Sequence, residues 1–81
     1  MRDEFFYTRY FEEQVIRKRP YLRKAWCEAI VRAPIRWERQ KDGRYRFWGS
    51  VVDLDGRYLR VVVLKDCQTI HNAFPDRGFV P

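Results

Sequence analysis

The chain has little of what most small catalytic or metal sites are made from. Cysteine occurs twice and histidine once in 81 residues. Two unclustered cysteines, Cys27 and Cys67, suit neither a disulfide framework nor a zinc site of about four ligands, and both read as small buried hydrophobes. No Gly-rich phosphate loop, Ser/His/Asp arrangement or metal-spaced His/Cys cluster is present, so no metal or cofactor is expected. No apolar run reaches the roughly 18–20 residues of a bilayer span. The opening Met1-Arg2-Asp3-Glu4 lacks an apolar leader region, and a cytoplasmic protein with no membrane partner is expected. There is no internal repeat, linker or low-complexity segment, which leaves one domain over residues 1–81.

Arginine and aromatic rings are abundant instead. Of 17 basic residues, 13 are Arg, and the net charge is +6. A guanidinium meets phosphate bidentately and stacks on rings, which an ammonium cannot do. The balance suggests an acidic partner, either a nucleic acid or an acidic protein; the alternative is a solvated basic surface with no partner. Aromatic residues make up 17% of the chain. A domain this short buries only about 60–65% of the surface its unfolded chain exposes. Rings that each bury on the order of 150–250 Å² help to offset that.

The hydrophobic pattern predicts two helices followed by four strands. Thr8 is a plausible N-cap for a helix from Arg9 to Arg19, with Phe11, Val15 and Ile16 on its apolar side. Phe5-Phe6-Tyr7 before it reads as a short edge strand or a packed aromatic lead-in. Pro20 ends the helix. A second helix spans about Tyr21 to Arg32, with Leu22, Trp26, Ala29 and Ile30 as its apolar stripe. Strands follow over Ile35–Gln40, Arg44–Val52, Arg57–Leu64 and Gln68–Phe74, joined by turns at Asp42-Gly43, Asp53 to Gly56 and Lys65 to Cys67. The tail, Pro75 to Pro81, reads as irregular. Helices followed by strands indicate an α+β domain, with the two helices packed on one face of a four-stranded antiparallel meander.

Strand alternation sorts the side chains into two faces. Tyr45, Phe47, Leu59, Val61, Val63, Ile70 and Phe74 can face the helices. Arg44, Arg46, Trp48, Tyr58, Arg60 and His71 then share the open face, a surface able to hold phosphates and stack bases.

Several stretches carry a family likeness: Thr8-Arg9-Tyr10, Arg19-Pro20-Tyr21-Leu22, Arg32-Ala33-Pro34, Asp42-Gly43-Arg44, Leu59-Arg60-Val61-Val62-Val63 and the closing run from Ile70 to Arg77. With this element order the chain resembles the small toxins of the RelE/ParE superfamily, on the barnase-like ribonuclease fold. It is more similar still to an uncharacterised bacterial family of that fold. The resemblance implies a toxin-like endoribonuclease of the mRNA-interferase kind, acting on RNA, ribosome-associated mRNA included, and held inactive by a small acidic antitoxin. One departure is Tyr10, where such families often place a histidine.

RNA cleavage without a metal needs a base for the 2′-hydroxyl proton, an acid for the leaving oxygen and cations for the developing charge. His71 is the side chain with an ordinary pKa near neutrality. The expected catalytic set is His71 with Arg46 and Arg60 as a phosphate clamp. Tyr58 or Tyr10 can supply a hydroxyl, Trp48 a stacking platform, and Arg44 and Arg77 further phosphate contacts. Each has a structural alternative. A lone histidine on a sheet often serves packing, Arg46 and Arg60 can pair with Glu38 or Asp53, and a one-residue slip would send Trp48 into the core. The same face can also serve a non-catalytic binding module, and exposed edges can pair with another copy.

Overall fold

The computed structural model describes residues 4–81; Met1, Arg2 and Asp3, part of the opening stretch read for a leader, lie outside the described residues. Thr8 starts the first helix as its cap: its Oγ1 accepts the Phe11 amide at 3.1 Å and its carbonyl accepts the Glu12 amide at 3.1 Å. This helix, α1, begins with helical residues 9–10, widens into a π-helical stretch, Phe11–Val15, and continues as Ile16–Lys18. In the wider turn the Ile16 amide bonds to the Phe11 carbonyl, five residues back. Arg19 has already left helical geometry, as a residue before proline tends to do.

The second helix, α2, is Lys24–Arg32, starting later than its periodicity suggests because Arg23 is extended. Its deepest residues are Cys27 and Ile30; Trp26 is half-buried and Ala29 exposed, so the helix is rolled relative to the expected stripe. Leu22, in the turn before it, is buried.

The strands are β1 (Phe6–Tyr7), β2 (Arg36–Arg39), β3 (Tyr45–Val51), β4 (Arg57–Val63) and β5 (Thr69–Pro75). Strands β2 to β5 form the expected antiparallel meander, but β1 adds in parallel to β5, giving a five-stranded mixed sheet in the order β1-β5-β4-β3-β2. The Phe6 amide reaches the Gln68 carbonyl at 3.0 Å, and the Thr8 amide reaches Ile70 at 3.1 Å. Helix α1 packs on β5 and α2 on β3 and β4, both on one face. Phe11, Val15, Leu22, Cys27 and Ile30 meet Phe47, Val51, Leu59, Val61, Val63, Ile70 and Ala73 in one core. Gly49 allows that approach: a Cβ there would stand 2.8 Å from Ile30 Cγ1.

A bulge in β5 changes which face its second half presents. Val63 pairs with Ile70 but Val62 pairs with Asn72, leaving His71 as the extra residue. Beyond it the alternation inverts, so Ala73 is fully buried in the core and Phe74 is not. The expectation that Phe74 faces the core is corrected by this single insertion. Its ring instead takes the guanidinium of Arg60 at 5.0 Å and that of Arg19 at 5.8 Å. Cys67 also differs from expectation: it is half-buried in a turn, in left-handed backbone with φ 56°, while Cys27 is fully buried as expected. Burial pushes the Cys27 thiol up to about 12. No helix among the described residues is long and apolar enough to cross a membrane.

Candidate functional site

The face turned away from the helices carries its side chains in two cross-strand rows. Register places Arg36 opposite Trp48, Trp48 opposite Arg60, and Arg60 opposite Phe74. The adjacent row runs Glu38, Arg46, Val62, Asn72. The alternation that predicted a basic and aromatic face therefore holds on β3 and β4.

The tail occupies the first row. Asp76 is anchored by its amide on the Tyr58 carbonyl at 2.9 Å. Its Oδ2 accepts three hydrogen bonds, from Arg60 Nε at 3.0 Å, Arg60 Nη2 at 2.8 Å and Trp48 Nε1 at 2.9 Å. The Trp48 and Arg60 bonds together hold the Asp76 carboxyl below the usual carboxylate range. Phe79 lies flat on Trp48, with centroids 5.0 Å apart and planes 14° from parallel, and Tyr58 meets Phe79 edge-on at 5.1 Å. Trp48 is consequently 4% exposed. It is neither an open platform nor a core residue, because a tail read as irregular covers it. Arg60 pairs with Asp76, not with Asp53 or Glu38. Arg77 is exposed and borders a groove with Arg57, Tyr58 and Phe79, so the tail turns it away from the Arg46 row.

Arg46 is less committed. Its Nη2 is 3.9 Å from Glu38 Oε1, and its buried Nε finds no hydrogen-bond partner among the described residues. It borders a groove of about 400 Å³ with Glu38, Trp48 and Arg60. The loose 3.9 Å contact with Glu38, not the buried Nε, is what this guanidinium can exchange for an anionic ligand in the groove.

His71 forms a second cluster. The β1 ladder brings Thr8 alongside it, with Thr8 Oγ1 3.0 Å from His71 Nδ1, and the Tyr10 ring stacks on the imidazole at 4.9 Å. Partial burial, and then the positive charge of Arg44, hold the His71 pKa below 6.5. Arg44 itself sits just past the Gly43 turn, its amide on Asp42 Oδ1 at 3.0 Å.

Of the expected catalytic set, Arg46 and His71 belong to the same part of the sheet: Arg46 and His71's neighbour Asn72 both flank Val62, two strand spacings of about 4.8 Å apart. Arg60 belongs to the next row and is already paired. Thr8 was legible only as a cap, and its contact with His71 depends on a parallel pairing of a two-residue strand, which carries no periodicity of its own. Among the described residues no three His, Cys, Asp or Glu side chains stand together as a metal-holding group.

No protein-family model, curated protein or solved structure matches the chain. The likeness to the RelE/ParE toxins accordingly rests on the short motifs and the element order alone.

Proposed function

We propose that the chain is a toxin-like endoribonuclease that acts on single-stranded RNA in the cytoplasm, with His71 as general base. The observation that carries the reading is the His71 cluster: an imidazole hydrogen-bonded to Thr8, stacked by Tyr10 and held below its ordinary pKa by partial burial and then by Arg44. In the tautomer whose Nδ1–H donates to Thr8 Oγ1, Nε2 holds the lone pair that removes the 2′-hydroxyl proton. The 2′-oxygen then attacks the adjacent phosphorus and the P–O5′ bond breaks. The products are a 2′,3′-cyclic phosphate and a 5′-hydroxyl, whose proton comes from Tyr10 or water. Arg44 and Arg46 contact the phosphate in place of the expected Arg46–Arg60 clamp, since Arg60 is engaged by Asp76. A small acidic antitoxin is the partner this reading entails for a chain of net charge +6.

The test is RNA cleavage by the purified chain in the presence of EDTA, followed by end-group analysis. Wild type is expected to leave 2′,3′-cyclic ends, and His71→Ala is expected to lose about 10²–10⁴ in rate while keeping its fold. Intact RNA at high wild-type concentration would reject the enzyme reading.

A non-catalytic RNA-binding module is favoured by one specific observation: Arg60, of the expected catalytic set, is paired with Asp76 in the other row, so that set does not assemble around His71. Retained RNA binding without cleavage selects this alternative.

A further inference from the structure

We propose that the row Arg36–Trp48–Arg60 is a binding site for one nucleotide of single-stranded RNA, and that Asp76 and Phe79 fill it from within when RNA is absent. This deepens the RNA reading above and rests on it.

Two features of a nucleotide are reproduced there side by side. The first is an anionic oxygen: Asp76 Oδ2 receives Arg60 Nε, Arg60 Nη2 and Trp48 Nε1, all within 3.0 Å. A guanidinium edge and an indole N–H converging on one oxygen serve a phosphate as well as a carboxylate. The second is a planar ring. Phe79 is stacked on Trp48 at 5.0 Å, and the Arg36 guanidinium stands 5.0 Å from the Phe79 centroid. Indole faces and guanidinium planes are what single-stranded bases stack on.

The segment that would have to leave is short. Past the Asp76 amide it is held by the Asp76 and Phe79 side chains and a turn in which the Gly78 amide bonds to Asp76 Oδ1 at 3.1 Å. Val80 beyond it is 73% exposed. Displacement would release the Arg60 guanidinium in the row next to Arg46, so a phosphate on each gives a strand a path across β3 and β4.

The experiment uses a short, fully 2′-O-methylated single-stranded RNA, which cannot be cleaved by 2′-oxygen attack. Its affinity is measured for wild type and for Phe79→Ala, which removes the competing ring but keeps the Asp76 clamp. Phe79→Ala is expected to bind about tenfold tighter, the order of one base stack. In parallel, trypsin cleavage after Arg77 is followed in the unaltered chain, and adding the RNA is expected to speed it. Binding by wild type with neither a gain in Phe79→Ala nor faster cleavage at Arg77 overturns the nucleotide site and leaves the RNA reading standing. Absence of RNA binding by both chains overturns the two together.

Discussion

At the scale of single residues, two titrating groups with opposite roles define the open face. His71 is held below 6.5 by burial and Arg44, so the fold prefers its neutral form. Its effect on stability is nil above about pH 6.5, and stability falls as pH drops through that value toward the lower folded pKa, because the unfolded chain binds the proton more readily. The rate of RNA cleavage is expected to rise with pH along a limb centred below 6.5 and to level off above it. In Arg44→Gln that limb should move upward, and a limb that stays put would show that Arg44 does not act on the imidazole. Asp76 behaves the other way. Its carboxyl is depressed below 3.8, so its contribution is complete above that pH and is lost as pH falls through the folded value. Asp76→Asn is expected to cost about 1–3 kcal/mol in urea unfolding at pH 7, since it leaves a mostly buried guanidinium without its counter-charge. The mutant should also lose less stability than wild type between pH 5 and pH 3. Arg60 was legible as a cation on the open face. Its partner was not, because the ion pair joins β4 to a tail without any periodic pattern.

Among the elements, what could be read in advance followed from periodicity and what could not followed from pairing. Strands β3 and β4 agree with alternation, and the turns before them with the Asp-Gly signals, because register there is set locally by short connections. Strand β5 departs because one extra residue inverts its faces, and no residue at the bulge announces it in the sequence. Strand β1 is two residues long, and its partner lies more than sixty positions away. Both departures converge on His71, which the bulge frees from the ladder and β1 furnishes with Thr8 and Tyr10. The contact of α2 with the sheet makes an independent prediction. Gly49→Ala places a methyl against Ile30 Cγ1 at 2.8 Å, close to the branch of a stiff side chain. It is expected to destabilise the fold by about 1–3 kcal/mol. Ile30→Ala alone should cost about 2–5 kcal/mol, but it removes the Cγ1 and Cγ2 atoms that the new methyl meets, so the double mutant should lose less than the two losses added. Simple additivity in thermal or urea unfolding would mean that Gly49 does not set the distance between α2 and β3.

Over the whole molecule, the charge balance was plain from composition, whereas its division between committed and available arginines needed the fold. Arg60 is spent on Asp76 and Arg9 pairs with Glu13 at 2.6 Å, while Arg44 and Arg46 approach carboxylates only at 3.9 Å. Loosely paired guanidinium groups on one face are the ones that can exchange a weak contact for a phosphate, and such exchange has a salt signature. Each phosphate contact on a single strand contributes about 0.7 to the slope of log affinity against log salt. With Arg44, Arg46 and one further cation engaged, the slope for a short single-stranded RNA is expected near −2, from about three contacts. Replacing Arg44 and Arg46 together by Gln should reduce its magnitude by about 1.4 while weakening binding to all sequences alike. Neither residue is buried in the core, so the double mutant should retain the wild-type unfolding midpoint. A slope that stays near −2 in that mutant would place the phosphate contacts on other arginines. A wild-type slope near zero would instead describe a partner held by an apolar interface, with the basic face as bystander.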